Sequence, residues 1–109
     1  PYIPEVYPAV VKDLGLALAA AGKMEEALNL SGDLISAVYD ITGSAIYANF
    51  FGTQYGAQLY AAENDNETAI ALWDNFSSYL DEYQDDYTPE ELNDMKTRIE
   101  REKQDLASK

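Results

Sequence analysis

Carboxylates and tyrosines are the chemically reactive side chains that this chain carries in number. Its 109 residues include 20 acidic residues and nine tyrosines, but neither histidine nor cysteine. The chain therefore lacks the usual general base near neutral pH, the commonest metal ligand and any thiol nucleophile. Catalysis would have to depend on carboxylates, tyrosines, serines or lysines. The composition thus predicts a protein that is not an enzyme and that holds no cofactor or metal.

One acidic block departs from the composition of an average domain. Residues 63–87 contain eight acids and no base, and so carry −8 of the net charge of −13. An EF-hand calcium loop needs a central glycine, which this block lacks. Two alternatives remain open: an enzyme or small-ligand site built on Asp81, Tyr83 and Asp85, and an acidic mimic of a nucleic acid. A solvated acidic rim is the simpler interpretation.

The net charge also limits the classes of partner. A charge of −13 repels phosphate backbones and anionic lipid headgroups, so we expect no binding to nucleic acid. The longest apolar stretch, residues 14–22, is roughly half of the about 20 residues that a membrane-spanning helix needs. We therefore expect no direct membrane insertion by this segment, and a protein as the partner.

The apolar periodicity predicts two helices before residue 43. Pro8 suits the first position of a helix, and Gly22 suits its end. The first predicted apolar face consists of Val6, Val10, Leu14, Leu18 and Ala21. A second helix is predicted from Lys23 to Thr42, with its apolar face on Met24, Ala27, Leu28, Leu34, Ile35, Val38 and Ile41.

Three further helices are predicted after residue 43. Ser44 is the expected N-cap of the third, and Asn64 lies in the turn before the fourth. Thr88, Pro89 and Glu91 match a capping box with proline at the first helical position, so a fifth helix begins there. No segment has the alternation typical of a strand. The sequence therefore predicts an all-α fold with about five helices in a single domain over residues 1–109.

The stretch LGLALAAAGKMEEAL resembles the tetratricopeptide repeat. The residues that carry the resemblance are Val11, Leu14, Gly15, Leu18, Gly22 and Ala27. A weaker second copy consists of Thr53, Gly56, Ala57, Tyr60, Asn64, Ala69 and Trp73. The copies are 42 residues apart (69 − 27), against about 34 in a regular array. The resemblance implies antiparallel helical hairpins over residues 8–42 and 44–86, in a right-handed α-α arrangement, and a capping helix over residues 89–107.

The resemblance also implies a function. Tetratricopeptide-like domains are non-catalytic and mediate contacts between proteins, and some grip a terminal carboxylate with basic residues on the inner face. Here only Lys12 is basic on that face, so such a clamp is absent. We expect a surface of apolar and amide side chains instead, and its candidate residues are Lys12, Leu16, Phe51, Gln54 and Gln58.

The layout is also similar to the soluble C-terminal regions of bacterial multi-spanning membrane proteins of the glycosyltransferase type. Those regions are tyrosine-rich helical domains that follow the membrane part. The likeness implies an accessory soluble domain of a larger membrane protein, associated with the membrane through flanking segments. The chain begins at Pro1 without methionine, which favours a domain excised from a larger protein. Its partner would then be either another subunit or its own parent chain.

Overall fold

A computed structural model describes residues 7–108 and confirms the all-α fold class. Six α-helices and one short 3-10 turn follow one another, with no strand among these residues. They are α1 (Tyr7–Ala20), α2 (Met24–Asn29), α3 (Ser31–Thr42), α4 (Ala45–Ala62), α5 (Asn66–Glu82), the 3-10 turn (Gln84–Asp86) and α6 (Pro89–Ala107).

The second predicted helix is interrupted at Leu30, so that α2 and α3 occupy its place. Leu30 keeps helical dihedral angles, with φ −73° and ψ −12°. Its N–H, however, donates to the carbonyl of Ala27, three residues back instead of four, at 3.2 Å. Such a tighter bond is typical of a helix end, and it separates α2 from α3. The other four predicted helices correspond to α1, α4, α5 and α6.

Left-handed residues end three of the helices. Gly22 and Gly43 have φ of +82° and +67°, and Asn64 has φ of +65°. Asparagine tolerates this conformation better than most residues other than glycine, so it fills the turn between α4 and α5 as the sequence predicts.

Side-chain caps start α4 and α6. The Ser44 hydroxyl accepts a hydrogen bond from the Tyr47 N–H at 3.4 Å, which confirms the predicted N-cap of α4. At α6 the Thr88 hydroxyl accepts from the Glu91 N–H at 3.1 Å, and the Glu91 carboxylate accepts from the Thr88 N–H at 2.9 Å. The predicted capping box is therefore confirmed.

Helix α4 lies at the centre of the fold, because buried residues occupy nearly every side of it. It runs opposite to α5: Gly56 lies beside Leu72, whereas the earlier Phe50 contacts the later Phe76 with ring centroids 6.5 Å apart. Helix α3 also runs opposite to α4, since Ile35 packs over Gly52 while the end of α3 lies beside the start of α4. Helices α3 and α5 therefore lie on either side of α4 and run parallel to each other.

Helix α6 packs against α5 and α4 through contacts along its length. Lys96 and Lys103 form ion pairs with Asp81 and Asp74 of α5, at 2.8 and 2.6 Å. The Asn66 side chain donates to the Leu106 carbonyl at 3.3 Å, so α5 and α6 are antiparallel. Met95, Ile99 and Leu106 of α6 are buried in one core cluster with residues of α4 and α5.

The buried face of α1 differs from the predicted one. Val11, Gly15 and Ala19 are buried, whereas Val10 and Leu14 are 53 % and 49 % exposed. Both faces carry apolar residues at helical spacing, so periodicity alone could not choose between them. The face with the small residues is the buried one, because these residues let α1 approach Tyr55 of α4 closely. Val6 lies outside the described residues.

Candidate functional site

A groove separates α1 from α4, with α3 as its third wall. We call it the α1/α4 groove. Its volume is about 380 Å³. Helix α1 contributes Pro8, Ala9 and Lys12; α4 contributes Phe51, Gln54, Tyr55 and Gln58; and α3 contributes Leu34, Val38, Ile41 and Thr42.

Four of the five candidate residues from the sequence line this groove. Lys12 stands on the α1 wall, and Phe51, Gln54 and Gln58 stand on the α4 wall. The three α4 residues are spaced by three and four positions, which keeps them on one face of a helix. Leu16, the fifth residue, is half-buried and packs against the core cluster that contains Val11, Tyr55 and Leu59.

The polar groups of the groove are few, and each has a distinct environment. Lys12 is partly buried and forms no ion pair with any residue between 7 and 108. The Gln54 amide donates to the Glu102 carboxylate of α6 at 2.8 Å. The Oε1 atom of Gln58 is buried and accepts no hydrogen bond from the described residues. A buried acceptor without a donor is unfavourable, so Gln58 has capacity for one more hydrogen bond.

Tyr55 forms the base of the groove and is a structural residue. It is 2 % exposed, and its hydroxyl donates to the Ala27 carbonyl at 2.5 Å. Burial raises the pKa of this phenol above its usual value, so the neutral form is favoured. The groove therefore holds one cation, two amides, a threonine hydroxyl, a neutral phenol and apolar walls, but no paired carboxylates. Such a lining suits non-covalent binding of an apolar segment with a few hydrogen-bonding groups.

The residues of the alternative enzyme hypothesis lie elsewhere. Asp81, Tyr83 and Asp85 are exposed at the end of α5 and in the 3-10 turn. The Asp81 carboxylate is paired with Lys96, and none of the three lines the α1/α4 groove. Among residues 7–108 no group of three or more potential metal-binding side chains is brought together.

Sequence reasoning missed the contribution of α3 to the groove. Val38 and Leu34 belong to the predicted apolar face, but nothing in that pattern says which helix they meet. Ile41 belongs to the same apolar face and is 46 % exposed in the structure. An apolar residue at this end of the predicted face is the sequence signal that could have indicated a groove wall on α3.

A comparison with known protein families, characterised proteins and solved structures finds no match for this chain. In the described part of the chain, each helix is either too short or too polar to span a bilayer.

Proposed function

We propose that this chain is a non-catalytic, tetratricopeptide-like helical domain that binds a protein segment in the α1/α4 groove. The segment belongs either to another subunit or to the parent protein of which the domain is an accessory part. The single observation that carries the proposal is that Lys12, Phe51, Gln54 and Gln58, which the repeat resemblance selects, line one groove.

The composition of the groove supports a peptide ligand. Its apolar side chains offer area for hydrophobic contact, and Phe51 is an aromatic anchor of the kind that dominates interface energies. The side-chain amides of Gln54 and Gln58 line the groove and offer hydrogen-bonding groups to the backbone of a ligand. Lys12 then favours a ligand that is neutral or that carries one acidic group near α1.

The geometry at the positions that carry the repeat resemblance is the second support. Gly15 and Ala27, the small residues of the repeat signature, both meet the Tyr55 side chain, where α1 and α2 pack on α4. Gly22 and Asn64 occupy the turn positions of the two copies and both have left-handed dihedral angles. These are the positions at which a repeat of this type requires small or left-handed residues.

The test compares two charge reversals at lysines. Immobilised protein is exposed to extract of the source cells, and captured proteins are compared between wild type, Lys12→Glu, Phe51→Ala and Lys23→Glu. Lys23 is exposed and outside the groove, so its reversal changes net charge equally and serves as the matched control. We expect a partner that is retained by wild type and Lys23→Glu but lost from the two groove variants. Equal capture by all four folded proteins, checked by circular dichroism, would overturn the proposal.

A further inference from the structure

A second and larger groove lies on the opposite side of α4, between α3 and α5. We call it the α3/α5 groove. Its volume is about 710 Å³. Leu28 and Ile35 stand on one wall, Leu72 and Tyr79 on the other, and Gly52 and Gly56 lie along the floor.

The α4 backbone along the floor of this groove carries two glycines, and both are buried beneath neighbouring side chains. A methyl group on Gly52 would overlap the Ile35 side chain, and one on Gly56 would lie 3.3 Å from Leu72. These contacts explain the glycines through packing within the domain. They also leave a channel between two helices that run in the same direction, with Tyr79, which is 37 % exposed, at its edge.

The charge around this groove has one sign. Its lining contains no charged residue. The four helices that form it contain no basic residue and eight acidic ones: Glu25, Glu26, Asp33, Asp40, Glu67, Asp74, Asp81 and Glu82. Asp74 and Asp81 are paired with Lys103 and Lys96 of α6. An uncharged channel on helices that carry acidic residues and no basic ones is complementary to an apolar stripe with basic flanks.

The backbone chemistry of the groove favours a helical occupant. The walls and the floor are helices, so most backbone N–H and carbonyl groups along them are already bonded within the helix. An extended peptide would find no backbone partners there and would leave its own groups unsatisfied. A helix satisfies its own backbone and presents side chains at intervals of three and four residues to the channel. A second copy of this chain carries −13 as well, so like charge opposes its docking.

We propose that the α3/α5 groove binds an amphipathic helix of a partner protein whose apolar stripe is flanked by lysine or arginine. The site is separate from the α1/α4 groove, and it takes a ligand of different charge and conformation.

The test uses a synthetic peptide of about 18 residues, with leucines at helical spacing and lysines between them, at physiological ionic strength. Binding is measured by fluorescence anisotropy. A scrambled peptide of identical composition and a version with glutamate in place of lysine are the ligand controls. We expect saturable one-to-one binding of the first peptide only. Equal binding of the scrambled peptide would mean that charge alone acts, and would overturn the proposal.

Two arginine variants locate the site. Asn75 is exposed and lines the groove, whereas Ser78 is exposed on the same helix outside it. Asn75→Arg should raise the Kd at least about tenfold through like-charge repulsion in the groove, and Ser78→Arg, with the same net charge, should change it much less. Lys12→Glu in the other groove should leave the Kd nearly unchanged. Equal effects of the two arginines would place the peptide elsewhere.

Amide resonances give a readout that does not depend on a variant. On peptide addition the Gly52 and Gly56 amide signals should shift, while those of Gly22 and Gly43, in turns outside the groove, should not. Shifts confined to the turn glycines would contradict the proposal. Self-association of the free protein that is lost in Asn75→Arg would identify a second copy as the occupant and would likewise overturn it.

Discussion

At the scale of single residues, one contact joins three helices in the core. Gly15 of α1, Ala27 of α2 and Tyr55 of α4 meet at the Tyr55 hydroxyl, which donates to the Ala27 carbonyl. The sequence identifies Gly15 and Ala27 as small residues where helices meet. It does not indicate that a tyrosine from the following segment fills the space between them, because that requires α4 to lie across both helices.

Gly15→Ala should destabilise the protein by about 1–3 kcal/mol, because the added methyl group would overlap the Tyr55 phenol in a tightly packed core. The free energy of unfolding in urea measures the effect.

The matched control for that substitution is Gly32→Ala. Gly32 lies in α3 with open space around it, so alanine should be neutral or stabilise by up to about 1 kcal/mol through its helix propensity. A loss of stability at Gly32 as large as that at Gly15 would show that crowding against Tyr55 is not the cause.

At the scale of elements, helix ends were more predictable than helix faces. The caps at Ser44 and Thr88 and the turns at Gly22 and Asn64 follow from local chemistry that a few neighbouring residues define. The face of α1 was predicted wrongly, since Val10 and Leu14 point outward while Gly15 and Ala19 are buried. Close approach of two backbones favours small residues, and a pattern based on hydrophobicity does not register that.

Thr88→Ala should cost about 1 kcal/mol of stability, because α6 loses the hydroxyl that accepts from the Glu91 N–H. Thr97→Ala is the control: this exposed threonine lies within α6 and bonds only the carbonyl of Asn93, so its loss should be nearly neutral. Equal losses in urea unfolding would contradict a capping role. We also expect amide exchange to accelerate first in the initial turn of α6 in Thr88→Ala.

At the scale of the whole molecule, acidic charge and tyrosine phenols set the response to pH. The hydrogen bond to Asp94, together with burial, raises the pKa of Tyr47, and burial raises that of Tyr55. The hydrogen bond with Tyr79, then burial, raises the pKa of Tyr87 to about 12. These phenols connect α4 to α2 and α6, and α5 to the segment before α6.

The protein should lose stability as the pH rises above about 10. Unfolded tyrosines ionise near that value, whereas the folded state keeps Tyr47, Tyr55 and Tyr87 neutral, so the stabilisation is complete below pH 10 and is lost as the pH rises toward 12. Urea unfolding at about pH 9 and about pH 11 measures the slope. Tyr87→Phe should reduce the slope. Identical slopes in wild type and Tyr87→Phe would contradict this assignment.

The candidate site was predicted in part at this scale too. The repeat resemblance selected Lys12, Phe51, Gln54 and Gln58, and all four line the α1/α4 groove. Leu16 does not line this groove. The small residues of α1 face α4, and in that orientation Leu16 packs against the core cluster instead. The α3/α5 groove could not be predicted at all, since its walls are residues of four helices whose relative positions no local pattern defines.

By itself the sequence determined the helical class, most of the helix ends, the excess of acidic over basic residues and the absence of histidine and cysteine. These depend on the chemistry of each residue and its near neighbours. Only the tertiary structure decided which face of α1 is buried, where the second predicted helix breaks and which side chains share a groove. Those outcomes depend on how closely backbones of distant segments approach, and Gly15, Gly52 and Gly56 set that distance only once the partner side chains Tyr55, Ile35 and Leu72 are in place.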